Sequence, residues 1–224
     1  MHKKKLYQET PRKHTKLNII LSCILLLFPM IFGLIVWNNL PESMPIHWGV
    51  NGEADRWSSK TFAVFVLPLI ILAIHGICIF ASGKDLRNKK QSPKMMGLVL
   101  WICPLLSVMA NSLTYAVALG KEINVLFVVS LTMGALFVLI GNYLPKCQQN
   151  RTVGIRIIWT LENQANWNAT HRFAGKVWVI GGLLLMASSL LPYSILPWAM
   201  IALLVVFIGL PVLYSYRFYK KGNI

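Results

Sequence analysis

LNIILSCILLLFPMIFGLIVW, Leu17 to Trp37, runs 21 residues without an Asp, Glu, Lys or Arg. About 20 apolar residues wound as a helix cross roughly 30 Å of hydrocarbon. The basic arm before it imitates the start of a signal peptide. The apolar run is too long for that, and no small-x-small cleavage pattern follows, so it reads as an uncleaved first helix. Five more stretches of the same kind follow: Phe62–Phe80, Met95–Leu119, Ile123–Tyr143, Ala174–Leu191 and Ile195–Tyr214. Each is expected to be helical, because an open sheet edge leaves backbone groups unpaired in lipid. Trp37, Trp57, Trp101, Tyr115, Tyr143, Trp178, Tyr193, Trp198 and Tyr214 fall near several ends, the usual depth of amphipathic rings. The expected fold class is an all-α polytopic integral membrane protein of six transmembrane helices. Composition agrees: 13% of residues are charged, where a soluble domain has about 25%.

The cations set an orientation. The arm (Lys3, Lys4, Lys5, Arg12, Lys13, Lys16), the second loop (Lys84, Arg87, Lys89, Lys90, Lys94), the fourth loop (Lys146, Arg151, Arg156, Arg172, Lys176) and the tail (Arg217, Lys220, Lys221) hold 19 of the 22 Lys and Arg. The other loops hold only Arg56, Lys60 and Lys121. The positive-inside rule puts both termini and the second and fourth loops in the cytoplasm of a bacterial plasma membrane. The net charge of +15 then reflects topology and contact with anionic lipid, not direct nucleic-acid binding. The expected layout is a basic arm (1–16), a hairpin of helices with a structured outer loop (17–94, loop 38–60), a central hairpin (95–144), and a C-terminal region (145–224) with a cytoplasmic loop (145–173).

The membrane interior offers little chemistry. Away from their ends the spans carry no Asp, Glu, Lys or Arg, so the carboxylates of ion-coupled transport are missing. His75 is the one histidine at depth. It is a proton or ligand site, or a neutral histidine bonded to a carbonyl, to Asn111 or to Thr114; the structural reading is favoured. Asn111, Ser112 and Thr114 read as stitches between helices. Cys23, Cys78, Cys103 and Cys147 show neither a disulfide framework nor metal spacing, and no cofactor is expected.

Between the first two spans lies NNLPESMPIHWGVNGEADRW, Asn38 to Trp57. Pro41 and Pro45 hold the backbone extended, and Asn51-Gly52 signals a hairpin turn. Pro45, His47, Trp48, Gly52, Asp55 and Trp57 are the candidates on this face. His47, Glu53 and Asp55 also form a weak metal-ligand set without helical spacing.

Between the fourth and fifth spans lies NRTVGIRIIWTLENQANWNATHR, Asn150 to Arg172. Arg151 to Ile158 is expected to be extended, with Gly154 allowing a bend. Thr160 is the expected N-cap of a helix, with Glu162 in its first turn. That helix would align Leu161, Ala165, Asn168 and Arg172 on one face, and Trp159, Asn163, Trp167 and Thr170 near another. A helix lying on lipid would set Leu and Phe opposite Lys and Arg. Asn, Gln, Thr and Trp suit packing against protein instead.

Two motifs carry a resemblance. The outer loop, LP-x-x-x-P-x-HW-x-x-x-G-x-x-DRW, looks like a small bacterial membrane domain of unknown function. The inner one, GN-x-LPK-x-x-x-NRTVGIR-x-x-WTL-x-N-x-x-x-W-x-x-THRFAGK, resembles the signature of the SdpI family. The two motif regions cover about 17–60 and 141–214. The resemblance implies a protein that protects its producer from a secreted membrane-active peptide toxin. It also implies a signalling role, in which toxin causes a cytoplasmic winged-helix repressor to be held at the membrane. On that reading the inner loop is a non-catalytic signalling cap with Asn150, Arg151, Gly154, Arg156, Trp159, Thr160, Asn163, Trp167 and His171 as its candidates. A transporter for a lipid-like or peptide substrate is the first alternative and requires a polar cavity reaching His75 and Asn111. A metal-dependent membrane enzyme centred on His47, Glu53 and Asp55 is the second.

Overall fold

A computed structural model describes residues 6–84 and 91–222, with side chains described from residue 16. Lys3, Lys4, Lys5, Arg87, Lys89 and Lys90 lie outside the described residues, and so do the side chains of Arg12 and Lys13. The elements run α1 (Leu6–Ile35), β1 (Ser43–Trp48), β2 (Ala54–Ser59), α2 (Leu67–Lys84), α3 (Pro93–Ala118), α4 (Val125–Tyr143), α5 (Ile158–Glu162), α6 (Gln164–Ser188) and α7 (Leu196–Gly222). This is an all-α polytopic membrane fold with one two-stranded hairpin. Among the described residues five helices are long and apolar enough to cross a membrane: Lys16–Ile35, Phe62–Lys84, Pro93–Ala118, Val125–Lys146 and Leu196–Gly222. The sixth expected span falls in α6, whose first turns are polar and whose charges reach in to Lys176.

The chain divides into two compact units. One comprises Met1–Trp48, Ala54–Phe80 and Met96–Ile123; the other comprises Gly49–Glu53, Ala81–Met95 and Asn124–Ile224.

In the first unit the strands pair antiparallel, Ser43 opposite Ser59 and Trp48 opposite Ala54, with irregularities on either side of His47. Pro45 is tolerated because each strand of a two-stranded ribbon has a free edge. The expected turn between the strands, Gly49–Glu53, is counted with the other unit and is present: Gly49 N–H donates to Glu53 O at 2.9 Å, and Gly52 has φ +76°, which favours glycine. Leu40, Met44, Ala63, Val64 and Tyr115 form a buried cluster that anchors the hairpin. Lys60 completes the anchorage. Its ammonium donates to Leu40 O at 3.3 Å, pairs with Glu42 at 2.9 Å and lies over the Trp37 ring at 4.7 Å. The helix that follows opens with a π-helical turn, Phe62–Val66. Pro68 lacks an N–H and cannot bond the carbonyl of Val64, which loosens that turn.

In the second unit α4 and α6 pack through glycines. A Cβ on Gly134 would stand 2.7 Å from Gly182 O, and one on Gly182 would stand 2.7 Å from Gly134 O. Gly141 and Gly175 oppose each other in the same way, at 2.9 and 2.7 Å. In lipid, where no hydrophobic drive joins helices, such small residues let backbones approach. Because the contacts recur along α6, it lies beside α4 through its apolar half.

Candidate functional site

The segment from Leu144 to Phe173 is a folded cap, and its sequence explains its shape. A short 3-10 turn, Leu144–Lys146, ends α4 at Pro145. Asn150 then organises the chain. Its Nδ2 donates to Gln148 O at 2.8 Å and Val153 O at 2.9 Å. Its Oδ1 accepts from Thr152 N at 2.8 Å and Val153 N at 2.6 Å. A fully buried amide with its hydrogen-bonding capacity used in this way holds a loop that has no ladder of its own. Gln91 clamps the same turn, donating to Gln148 O at 2.6 Å and accepting from Gln148 N at 3.0 Å.

Arg151 to Gly154 forms bends, not the expected extended piece. The polar side chain of Asn150 satisfies backbone groups there that a strand would have paired. Gly154 takes φ +107°, and a Cβ on it would stand 2.6 Å from His171 Nε2 and 3.1 Å from the Trp167 ring. Glycine is therefore required twice, by conformation and by space.

His171 is fully buried. Its Nδ1 lies 2.8 Å from Trp167 O, and Ile155 N–H donates to its Nε2 at 3.0 Å. A carbonyl on one side and an N–H on the other fix one neutral tautomer, with the proton on Nδ1. Burial lowers its pKa to about 4, with the bond to Trp167 O opposing. Its ring stacks on Trp167 at 4.0 Å. Trp167 is itself fully buried and donates its indole N–H to Cys147 O at 2.8 Å. Burial also raises the Cys147 thiol to about 11, so it stays protonated and unreactive.

Thr160 is not a helix N-cap. It lies inside α5, where its hydroxyl accepts from Ile157 N at 3.1 Å and donates to Ile155 O at 2.7 Å. The chain breaks at Asn163, whose extended backbone and side chain cap α6 by accepting from Asn166 N at 2.9 Å. The single helix from Leu161, with its two faces, is therefore replaced by two helices. The deciding physics is that an Asn side chain reaches the N3 amide from outside the helix, while the Thr160 hydroxyl is already committed.

Of the sequence candidates, Asn150, Gly154, Thr160, Trp167 and His171 come together in this network. Arg156 is exposed and donates to Arg151 O at 2.7 Å. Trp159 faces α7 instead, with Tyr216 and Tyr219 at ring distances of 5.1 and 6.0 Å. Sequence reading missed the link at Asn166, which donates to Ser215 O at 3.0 Å and accepts from Ser215 and Thr170 hydroxyls, each at 2.8 Å. The spacing 163, 166, 170 of short polar residues was the available signal. Gln91 and Gln149 had none, because they bond backbone groups distant in sequence, Gln91 those of Gln148 and Gln149 the carbonyls of Thr160 and Leu161.

On the hairpin, His47 and Asp55 pair at 2.6 Å. The hydrogen bond from His47 holds the Asp55 carboxyl below the ordinary carboxylate range. Glu53 is held instead by Asn51 Nδ2 at 2.6 Å, so the three do not converge. Among the described residues no group of three or more His, Cys, Asp or Glu can hold a metal ion. Pro45 is buried, Trp48 half-buried and Trp57 exposed. His75 is buried against Ser22 of α1, Oγ to Nε2 2.9 Å, instead of bonding Asn111 or Thr114. Its partner comes from α1, the other helix of the expected first hairpin, where sequence reading had not considered Ser22. A cavity in this unit has Asn111 on its wall, and His75 is not among the residues that line it.

Residues 146–215 match the model of the SdpI/YfhL protein family, and residues 24–72 match a domain of unknown function (DUF1648). The chain is 28% identical to the Immunity protein SdpI of Bacillus subtilis (strain 168) over 93% of its length and 98% of that protein. The C-terminal part of the chain is thus similar to the SdpI/YfhL protein family. The chain is also 38% identical to an uncharacterized protein of Archaeoglobus fulgidus, over 30% of this chain and 37% of that one. No solved structure matches it. The SdpI match begins at Lys146 and ends at Ser215. It therefore takes in the cap, the helix that the cap leads into and the α7 serine that locks Asn166.

Proposed function

We propose that this chain is an immunity protein of the bacterial plasma membrane, protecting its cell from a secreted membrane-active peptide toxin. The observation that carries this is likeness to a protein of that name over nearly the whole length of both chains. Both termini and the cap face the cytoplasm on this reading, and α6 is the sixth span. The cap supports a signalling role as well. It is a hydrogen-bonded polar cap whose exposed edge, with Ile158 at 60% exposure beside Trp159, Tyr216 and Tyr219, suits contact with a cytoplasmic repressor. The chain then acts by binding and not by catalysis.

The test is expression in toxin-sensitive cells that lack their own immunity gene. Survival on toxin challenge is expected at membrane levels checked by immunoblot. No protection at normal abundance overturns the proposal. Trp159→Ala is expected to retain protection and lose recruitment of the repressor to the membrane fraction. Unchanged recruitment removes the signalling half alone.

A further inference from the structure

A cavity of about 330 Å³ lies between α1 and α3 in the first unit, within the usual range of small-ligand sites. Its origin is visible in the sequence. Tyr115 of α3 reaches α1 and donates to Pro29 O at 2.7 Å. Gly33 makes room, since a Cβ there would stand 2.5 Å from the Tyr115 hydroxyl. The tyrosine acts as a strut, and the space behind it is walled by Phe28, Phe32, Val108, Asn111 and Tyr115, with exposed Lys121 at the rim. Phe32 and Tyr115 already meet edge to face at 5.3 Å.

The wall is mostly apolar; Asn111 is its buried polar side chain, with Ser112 and Lys121 exposed. Asn111 is 2% exposed. Its Nδ2 donates to Ser107 O at 2.8 Å, and its Oδ1 has no hydrogen-bond partner among the described residues. A buried amide oxygen without a donor is costly. A hydrocarbon chain would fill the cavity and leave that acceptor unmet. A flat ring carrying an N–H or O–H would fill it and, with a turn of the Asn111 amide that brings its closed-off Oδ1 to the cavity, meet the acceptor, and aromatic walls favour such a ring further.

We propose that this cavity is a binding subsite for an indole or phenol ring whose N–H or O–H donates to Asn111, supplied by a tryptophan or tyrosine side chain of a membrane-inserted peptide or by a free small aromatic molecule. The inference stands on this unit alone and does not require the immunity reading.

The experiment follows 5-fluoroindole by fluorine NMR against the full chain in lipid nanodiscs, with empty nanodiscs as the background. Saturable binding is expected, with 1-methyl-5-fluoroindole, which has no donor, at least about fivefold weaker. Asn111→Leu is expected to abolish that preference, and Ala116→Trp or Val108→Trp to abolish binding of both while the chain stays monodisperse. A membrane-spanning Leu-Ala peptide with one Trp competes if a peptide is the source, and its Phe counterpart does not. Competition by neither, with indole still bound, assigns the free molecule. No saturable binding, equal binding of the two indoles, or a preference that survives Asn111→Leu overturns the proposal. None of these outcomes bears on toxin protection.

Discussion

At the scale of single residues the cap depends on polar side chains that serve the backbone, and His171 is the one whose service depends on pH. Burial holds its folded pKa at about 4, while the unfolded chain titrates near 6.5. Between those values the unfolded state binds the extra proton. Stability is therefore full above about pH 6.5 and falls as pH drops toward 4, by about 3 kcal/mol for this group. Reversible unfolding in mixed micelles is expected to show that loss, and His171→Gln is expected to flatten the profile over the same window. An equal slope in both proteins would place the titration elsewhere. Asn166 makes a second case. Asn166→Ala strands Ser215 and Thr170 hydroxyls in a buried site and is expected to destabilise by about 1–3 kcal/mol. Asn163→Ala removes only a helix cap, at about 1 kcal/mol. Unfolding midpoints of the two variants check the order.

At the scale of elements, what could be read from sequence depended on whether the signal was local. Asn51-Gly52 announced its turn because the required positive φ belongs to the residue itself. The break at Asn163 was missed because Thr160 and Asn163 both qualify as caps, and only the prior commitment of the Thr160 hydroxyl to Ile155 and Ile157 decides between them. The α4–α6 seam was also missed. Gly134 and Gly141 are seven residues apart, as are Gly175 and Gly182, but inside apolar runs glycine passes as one more small residue. The seam makes a sharp comparison possible. At Gly182 a Cβ meets backbone at 2.7 and 2.9 Å, while at Gly209 of α7 nothing stands within 4 Å. Gly182→Ala is expected to destabilise by about 1–3 kcal/mol, and Gly209→Ala to be neutral or mildly stabilising, since alanine suits a helix better. Equal unfolding midpoints for the two variants would mean that the helices do not pack through this row.

At the scale of the whole molecule, hydropathy made five spans legible because nothing else competes for a long charge-free run. It served α6 least well, and for a physical reason. The same helix has to begin as part of the cap, with Asn166, Trp167, Thr170 and His171 buried in a polar network, before it turns apolar beyond Lys176. Its membership of the bundle rests on glycine packing against α4 and not on its own composition. If α6 crosses, the cap and the C-terminal tail share a side, and the hairpin turn lies opposite them. Cysteine labelling in a background with Cys23, Cys78, Cys103 and Cys147 replaced by serine tests this in whole cells. Val50→Cys, on the turn at 71% exposure, is expected to react with a membrane-impermeant maleimide. Arg156→Cys and Lys221→Cys are expected to react only after the membrane is opened. Labelling of Lys221→Cys from outside, with Arg156→Cys still protected, would show that α6 does not cross and that five spans carry the fold. The tail would then stand apart from the cap, which the hydrogen bonds between Asn166 and Ser215 make hard to satisfy.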